Sequence, residues 1–127
     1  DDVLKVAGHR ISNAEVEASA EKHPAVKAAA VVGKPDKVKG ESIVVYAVLN
    51  PGIEGDANLQ KDIKTFVRKT LGPIAIPSDV VFVEDIPRNK AGKPVRPLIK
   101  ARALGEKIAD TSAVVNPKSL DMIPLLG

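Results

Sequence analysis

The chain has 127 residues, 19 Lys and Arg against 16 Asp and Glu, a formal net charge of +3, and no cysteine. This length suits one domain with a modest core and leaves no room for a second full catalytic domain; the lack of cysteine excludes disulfides, thiolate metal sites and a cysteine nucleophile, and agrees with a cytoplasmic origin. The only histidines, His9 and His23, lack ligand-like spacing, so no metal site is expected, and Tyr46, Phe66 and Phe82 are too few aromatics for the stacking surfaces of nucleic-acid binders, while the spread of basic residues suits a phosphate-rich small molecule.

In chain order, Val3 to Val6 and residues 9–11 alternate apolar and polar around Ala7-Gly8, predicting a hairpin that turns at the glycine. A helix is expected over about 13–22, with Ser12 or Asn13 as N-cap, Glu15 and Glu17 as first-turn anions and Pro24 as its limit. Val26 to Val32, ended by Gly33-Lys34-Pro35-Asp36, and Ile43 to Leu49, closed by Asn50-Pro51-Gly52, read as strands. From Asp56 to Leu71 the residues Leu59, Ile63, Phe66, Val67 and Leu71 recur at three- and four-residue steps, which predicts an amphipathic helix stopping at Gly72-Pro73. Lys61, Lys64, Arg68 and Lys69 fall mostly on its polar side. Val80 to Val83 reads as a further strand, Pro87 to Pro97 as a turn-rich loop carrying Arg88, Lys90, Lys93 and Arg96, and about 97–107 as a last helix.

This order predicts an α/β (α+β) domain over 1–107: a small mixed sheet of about three main strands covered by helices, with an N-terminal β-hairpin. Residues 108–127 form a C-terminal extension whose apolar tip, Met122 to Leu126, is left open between packing on a surface and disorder. The sequence begins at Asp1-Asp2 rather than Met and has no apolar run long enough to span a bilayer. It is therefore read as a soluble piece of something longer, with no membrane partner.

Several segments occur in an ordered series: Asp1 to Ile11, Ala14-Glu15-Val16-Glu17, His23-Pro24-Ala25-Val26, Val32 to Asp36, Lys39-Gly40-Glu41, Phe66-Val67-Arg68-Lys69, Gly72-Pro73-Ile74-Ala75, and Ile86-Pro87 to Ala91-Gly92-Lys93. Over roughly residues 1–104 this series resembles the C-terminal domain of AMP-forming acyl- and acetyl-CoA synthetases in the adenylate-forming superfamily. The resemblance implies a two-step ligase. ATP and a carboxylate give an acyl-adenylate and pyrophosphate, and the CoA thiol then gives the thioester and AMP. It also implies that the small domain rotates between the steps on a hinge at Asp1, with the ATP (Mg) and CoA sites lying mainly in a large N-terminal domain. The chain by itself is expected to be inactive.

By the same resemblance Lys93 is the adenylation lysine, touching the attacking carboxylate oxygen and the α-phosphate, and Gly92 lets its loop bend close to the ligand. Arg68 corresponds to an arginine that meets the 3′-phosphate of CoA, Arg10 to one near the adenylate phosphate, and Gly8 to a glycine that leaves room for the pantetheine arm. The family's hydrophobic and doubled basic residues after the lysine are replaced here by Pro94-Val95-Arg96-Pro97, which predicts a stiffer loop with one charge fewer. Gly72 to Ala75 leans toward acetate or another short carboxylic acid. An exposed Lys93 is expected to be a target for an acetyltransferase and a deacetylase.

Taken alone, without the resemblance, Lys93 reads first as a solvated lysine in a basic loop, while Arg68 also reads as a helix-terminal cation and Gly8 as a turn glycine. His9 has no carboxylate in sequence reach and reads as structural; Asp36 and Glu41 read as solvated residues flanking a turn. Two other readings stay open: a non-catalytic regulatory module of the same fold, and a basic nucleic-acid-binding domain.

Overall fold

The structure is a computed structural model that describes residues 3–108 and 110–126, so Asp1, the expected hinge, lies outside the described residues. Strands β1 (Val3–Val6) and β2 (His9–Ser12) form the expected hairpin. Its two turn residues, Ala7 (φ 49°) and Gly8 (φ 81°), both lie in the left-handed region, the pattern whose twist matches that of paired strands. The Ala7 N–H donates to the Lys39 carbonyl at 2.8 Å and fastens the turn to the start of strand β4 (Gly40–Leu49).

Helix α1 (Asn13–Glu21) starts at Ser12, whose Oγ accepts the Glu15 N–H at 3.3 Å. One side of α1 buries Val16 and Ala20. Asn13, Glu17 and Glu21, spaced by four and so on one face of the helix, run along the outer edge of strand β3 (Val26–Asp36). Glu21 accepts the Ala29 N–H at 3.0 Å, Glu17 accepts the Val31 N–H at 2.9 Å, and Asn13 donates to the Val31 carbonyl at 2.8 Å. Side chains thus take the place of a neighbouring strand and cover a sheet edge. Glu17 is therefore not the first-turn anion expected from the sequence. Only Glu15 occupies the first turn, and the Glu17 carboxylate is buried and bound by Arg96 through Nε at 2.8 Å and a terminal guanidinium nitrogen at 2.7 Å.

Strand β4 pairs antiparallel with β3 from Val26↔Leu49 to Asp36↔Gly40, and parallel with strand β5 (Asp79–Phe82) from Val44↔Asp79 to Ala47↔Phe82. β1 joins at Val6↔Gly40, completing one five-stranded mixed sheet. The three main strands expected from sequence are β3, β4 and β5, and the hairpin supplies the other two. β3 continues past Gly33, where the sequence suggested an end. A side chain at Gly33 would collide with the Glu41 carboxylate, so this glycine makes room for a crossing side chain and does not make a turn. Glu41 is correspondingly not solvated as expected. It accepts the Lys5 N–H at 2.9 Å and lies 3.6 Å from the Lys100 ammonium.

Helix α2 (Ala57–Leu71) is capped by Asp56, which accepts the Leu59 N–H at 2.8 Å, and ends at Gly72 (φ 103°) before a single 3-10 turn, Pro73–Ala75. Buried His23 accepts the Ala25 N–H at Nδ1 and so donates from Nε2 to Asp62 at 2.6 Å, with Phe66 edge-on at 5.2 Å, which ties α2 to the end of α1. On one face of the sheet Leu4, Val31, Ile43 and Val45 pack against Val16 and Ala20 of α1 and Ile63 and Val67 of α2. The opposite sheet face, with Val32, Val44 and Tyr46, packs on Ile86, Ile99 and Ile123. With both faces covered, β3 and β4 read as continuous apolar runs instead of alternating ones.

Helix α3 (Arg96–Ala103) covers the second face and stops earlier than the expected 107, because Leu104 and then Gly105 (φ 72°) leave helical geometry. Beyond Lys107, where the sequence suggested no element, a short helix α4 (Lys118–Asp121) forms, and Val114, Leu120 and Ile123 are buried. No helix among the described residues is long and apolar enough to cross a membrane.

Two stability outcomes follow. Glu17→Ala removes the carboxylate from Arg96 and the acceptor from the Val31 N–H, and is expected to cost about 3–5 kcal/mol in urea denaturation. The Tyr46 hydroxyl is buried without a partner among the described residues; burial first, then the charge of Asp79, push its pKa from 10.0 up to about 12. Tyr46→Phe is expected to stabilise by about 1 kcal/mol near neutrality. Because the folded value is raised, the phenol's contribution is intact below the unfolded pKa and lost as pH climbs from 10.0 toward about 12. The phenylalanine variant lacks that alkaline loss.

Candidate functional site

Lys93 sits on a closed hairpin between β5 and α3, not on an irregular loop. Arg88 and Pro94 form an antiparallel bridge, flanked by hydrogen bonds from Asn89 N–H to the Lys93 carbonyl (3.0 Å) and from Val95 N–H to the Pro87 carbonyl (3.0 Å). At the tip the Gly92 N–H donates to the Asn89 carbonyl at 2.9 Å, and Gly92 takes φ 80°. Asn89 Oδ1 accepts both the Ala91 N–H (3.0 Å) and the Lys93 N–H (3.1 Å), while the Arg88 guanidinium donates to the Gly92 carbonyl at 2.8 Å. Asn and Gly three residues apart are a turn signature in the sequence, and it marks this tip. Lys90, Ala91, Gly92 and Lys93 are exposed, and the Lys93 side chain makes no hydrogen bond or ion pair with the described residues.

The prolines after the lysine fall at positions that tolerate them. Pro94 lies in the hairpin stem, and Pro97 in the first turn of α3, where a helix needs no N–H donor. Arg96, expected among the loop's cations, instead turns inward to Glu17. No sequence signal links two residues 79 apart.

The other expected site residues lie elsewhere. Arg10 is exposed on β2 opposite Lys5, beside the Ala7-Gly8 turn. A Cβ placed on Gly8 meets nothing within 4 Å, so within this chain glycine is required by the positive φ and not by crowding. Arg68 is exposed in the last turn of α2, its carbonyl accepting the Gly72 N–H at 2.8 Å, a position where the helix dipole also favours a cation. Arg68 and Lys93 therefore belong to elements covering opposite faces of the sheet, and this chain does not join them into one site. His9 is exposed, and its ring Nδ1 lies 3.1 Å from the Ala7 carbonyl. Asp36 flanks the β3–β4 turn, where the N–H groups of Lys39 and Val38, each at 2.9 Å, hold its carboxyl below the usual range. Among the described residues no group of three or more His, Asp or Glu is placed to hold a metal ion.

The sequence profile of the family described as the AMP-binding enzyme C-terminal domain matches residues 15–93. The acetyl-coenzyme A synthetase of Methanothrix thermoacetophila is 56% identical over 126 residues, covering 99% of this chain and 19% of that protein. Its counterpart from Methanothrix soehngenii is 56% identical over 124 residues, covering 98% and 18%. The crystal structure of Brucella canis acyl-CoA synthetase superposes with a TM-score of 0.75 at 39% identity, over 79% of this chain and 18% of that one. The chain thus spans less than a fifth of the length of the curated relatives it matches, 19% and 18%. With a match that runs from α1 to the tip of the Lys93 hairpin, the chain belongs to the AMP-binding enzyme C-terminal domain family.

Proposed function

We propose that this chain is the mobile C-terminal domain of an ATP-dependent, AMP-forming acetyl-CoA or short-chain acyl-CoA synthetase, and that it supplies the adenylation lysine and part of the CoA-binding surface. The observation that carries this reading is Lys93 itself: a cation on a hairpin closed by backbone and Asn89 hydrogen bonds, with its ammonium engaged by nothing among the described residues. Such a side chain is held for something outside the domain. The names of the relatives, acetyl-coenzyme A synthetases, give that something its chemistry.

In the first half-reaction a carboxylate oxygen attacks the α-phosphorus of ATP, taken as its magnesium complex, and pyrophosphate leaves. Negative charge concentrates on the α-phosphate oxygens, and the Lys93 ammonium lowers the barrier by meeting it there. The hairpin brings the ammonium pre-positioned, so little reorganisation is left for the reaction itself. The second half-reaction, attack of the CoA thiol, uses other groups: Arg68 for the 3′-phosphate of CoA, Arg10 for the adenylate phosphate, and the open space at the Gly8 turn for the pantetheine arm. Arg68 stands on α2, which packs on one face of the sheet, and Lys93 stands between Ile86 and α3, which pack on the other, a placement that supports a domain turning between the steps. Asp1 is the hinge in this proposal. The large N-terminal domain of the same enzyme holds most of the ATP, AMP, CoA and carboxylic acid contacts, and the setting is the cytoplasm, where these substrates are supplied. Acetylation of Lys93 would remove the charge and switch off the first step, with a deacetylase restoring it.

Two half-reaction measurements on the full-length enzyme carrying this chain test the proposal. Lys93→Ala is expected to lower acid-dependent pyrophosphate exchange by about a thousandfold, as expected for a charge acting where water is excluded, and to leave thioester formation from supplied acyl-adenylate within about twofold. Loss of both steps, or of neither, would remove the specific role of Lys93. Arg68→Ala is expected to raise the KM for CoA by about tenfold, with ATP and acid unaffected and dephospho-CoA used as well as by the unaltered enzyme. Equal weakening of CoA and dephospho-CoA would leave Arg68 as an ordinary helix cation.

A further inference from the structure

We infer that Asn116, in the segment after α3, is a positioning residue for Lys93, clamping the stem of its hairpin from outside; the inference rests on the functional reading above. In the Arg88↔Pro94 bridge the inner hydrogen bonds are made by the neighbours, Pro87 with Val95 and Asn89 with Lys93, so the N–H and C=O of Arg88 point to the outer edge. Both are taken by the C-terminal segment. Asn116 Oδ1 accepts the Arg88 N–H at 2.9 Å, and the Val115 N–H donates to the Arg88 carbonyl at 2.9 Å. Asn116 Nδ2 donates to the Ile86 carbonyl at 2.8 Å and to the Asp85 carboxylate at 3.0 Å, so one side chain holds Asp85, Ile86 and Arg88 at the base of the hairpin.

The opposite strand of the stem cannot be clamped in this way, because its outer-edge residue is Pro94, which has no N–H. A two-stranded hairpin alone is marginal in water, so the added edge bonds decide how firmly the tip is held. The clamp is itself anchored. Val114 and Leu120 are buried on either side of Asn116, Ile123 enters the core shared with Ile99 and Tyr46, and the Leu126 N–H donates to the Ala103 carbonyl at 2.9 Å. Asparagine suits the position because it accepts and donates at once. Aspartate keeps the bond from Arg88 but loses both donations and sets a second carboxylate against Asp85. The whole segment lies outside the family match, which ends at Lys93.

The test uses the full-length enzyme carrying Asn116→Ala, Asn116→Asp or Val115→Pro, the last removing the N–H given to Arg88 while leaving the Asn116 side chain in place. Each is expected to lower the kcat of acid-dependent pyrophosphate exchange by about 10–100-fold, the cost of displacing a catalytic group by about 1 Å. The KM for ATP and thioester formation from supplied acyl-adenylate should stay within about twofold of the unaltered enzyme. Hydrogen exchange at the Asn89 and Lys93 amides should quicken by about tenfold or more as the stem loosens. A purely structural role would lower both half-reactions together. That outcome in the variants that fold, or unaltered adenylation, overturns the inference. If Lys93→Ala abolishes adenylation while the clamp variants leave it intact, the functional reading stands and the clamp falls. If Lys93→Ala adenylates normally, the functional reading falls, and unchanged exchange at Asn89 and Lys93 in Asn116→Ala then removes the clamp as well.

Discussion

Glu17 holds three elements together with two oxygens. It lies in α1, accepts the Val31 N–H of β3, and takes the guanidinium of Arg96 at the first turn of α3, on the far side of the Lys93 hairpin. A buried carboxylate is tolerated only when it is paired and fully hydrogen-bonded, and here a bidentate arginine and a backbone amide supply those bonds. The hairpin that carries Lys93 emerges between Ile86, in the core of the second sheet face, and Arg96, locked to Glu17. The edge of β3 depends on the same helix face, since Asn13, Glu17 and Glu21 occupy the positions where another strand would otherwise add.

This arrangement separates a rigid backbone from an unengaged side chain. The Lys93 hairpin is satisfied from inside by Asn89 and Arg88 and from outside by Asn116, yet the ammonium it carries is left to solvent. A group that must stabilise charge in a partner domain needs both properties, because ordering a long side chain or a loose loop at the moment of reaction would raise the barrier. Arg68 stands on α2, which packs on one face of the sheet, and Lys93 stands between Ile86 and α3, which pack on the other, so the two cations belong to different parts of the domain surface.

The elements legible from local pattern were those with their own period or punctuation. The α2 stripe of Leu59, Ile63, Phe66, Val67 and Leu71 and the Ala7-Gly8 turn appear where the sequence put them, and of the two caps offered for α1, Ser12 or Asn13, it is Ser12 that caps. Local rules misled where a residue answers to a distant one. Gly33 looks like a strand end but is a strand interior kept small for Glu41, and Glu17 looks like a dipole-stabilising anion but is the partner of Arg96. Residues 110–126 carry too little periodicity to announce an element, since Val114, Leu120 and Ile123 are anchored singly on a surface other elements have built.

The ordered series of segments up to Lys93 was enough by itself to place the chain in its family, because family membership is written in residue types at fixed positions along the chain. It also determined the strand and helix order, because hydrophobic period and turn chemistry act over a few residues. The tertiary structure alone decided which face of the sheet each helix covers, that Arg96 turns inward, and that Asn116 reaches Arg88 across 28 residues. Those are hydrogen bonds between groups far apart in sequence, formed only once the two faces of the sheet have been covered, and no pattern within a short window encodes them.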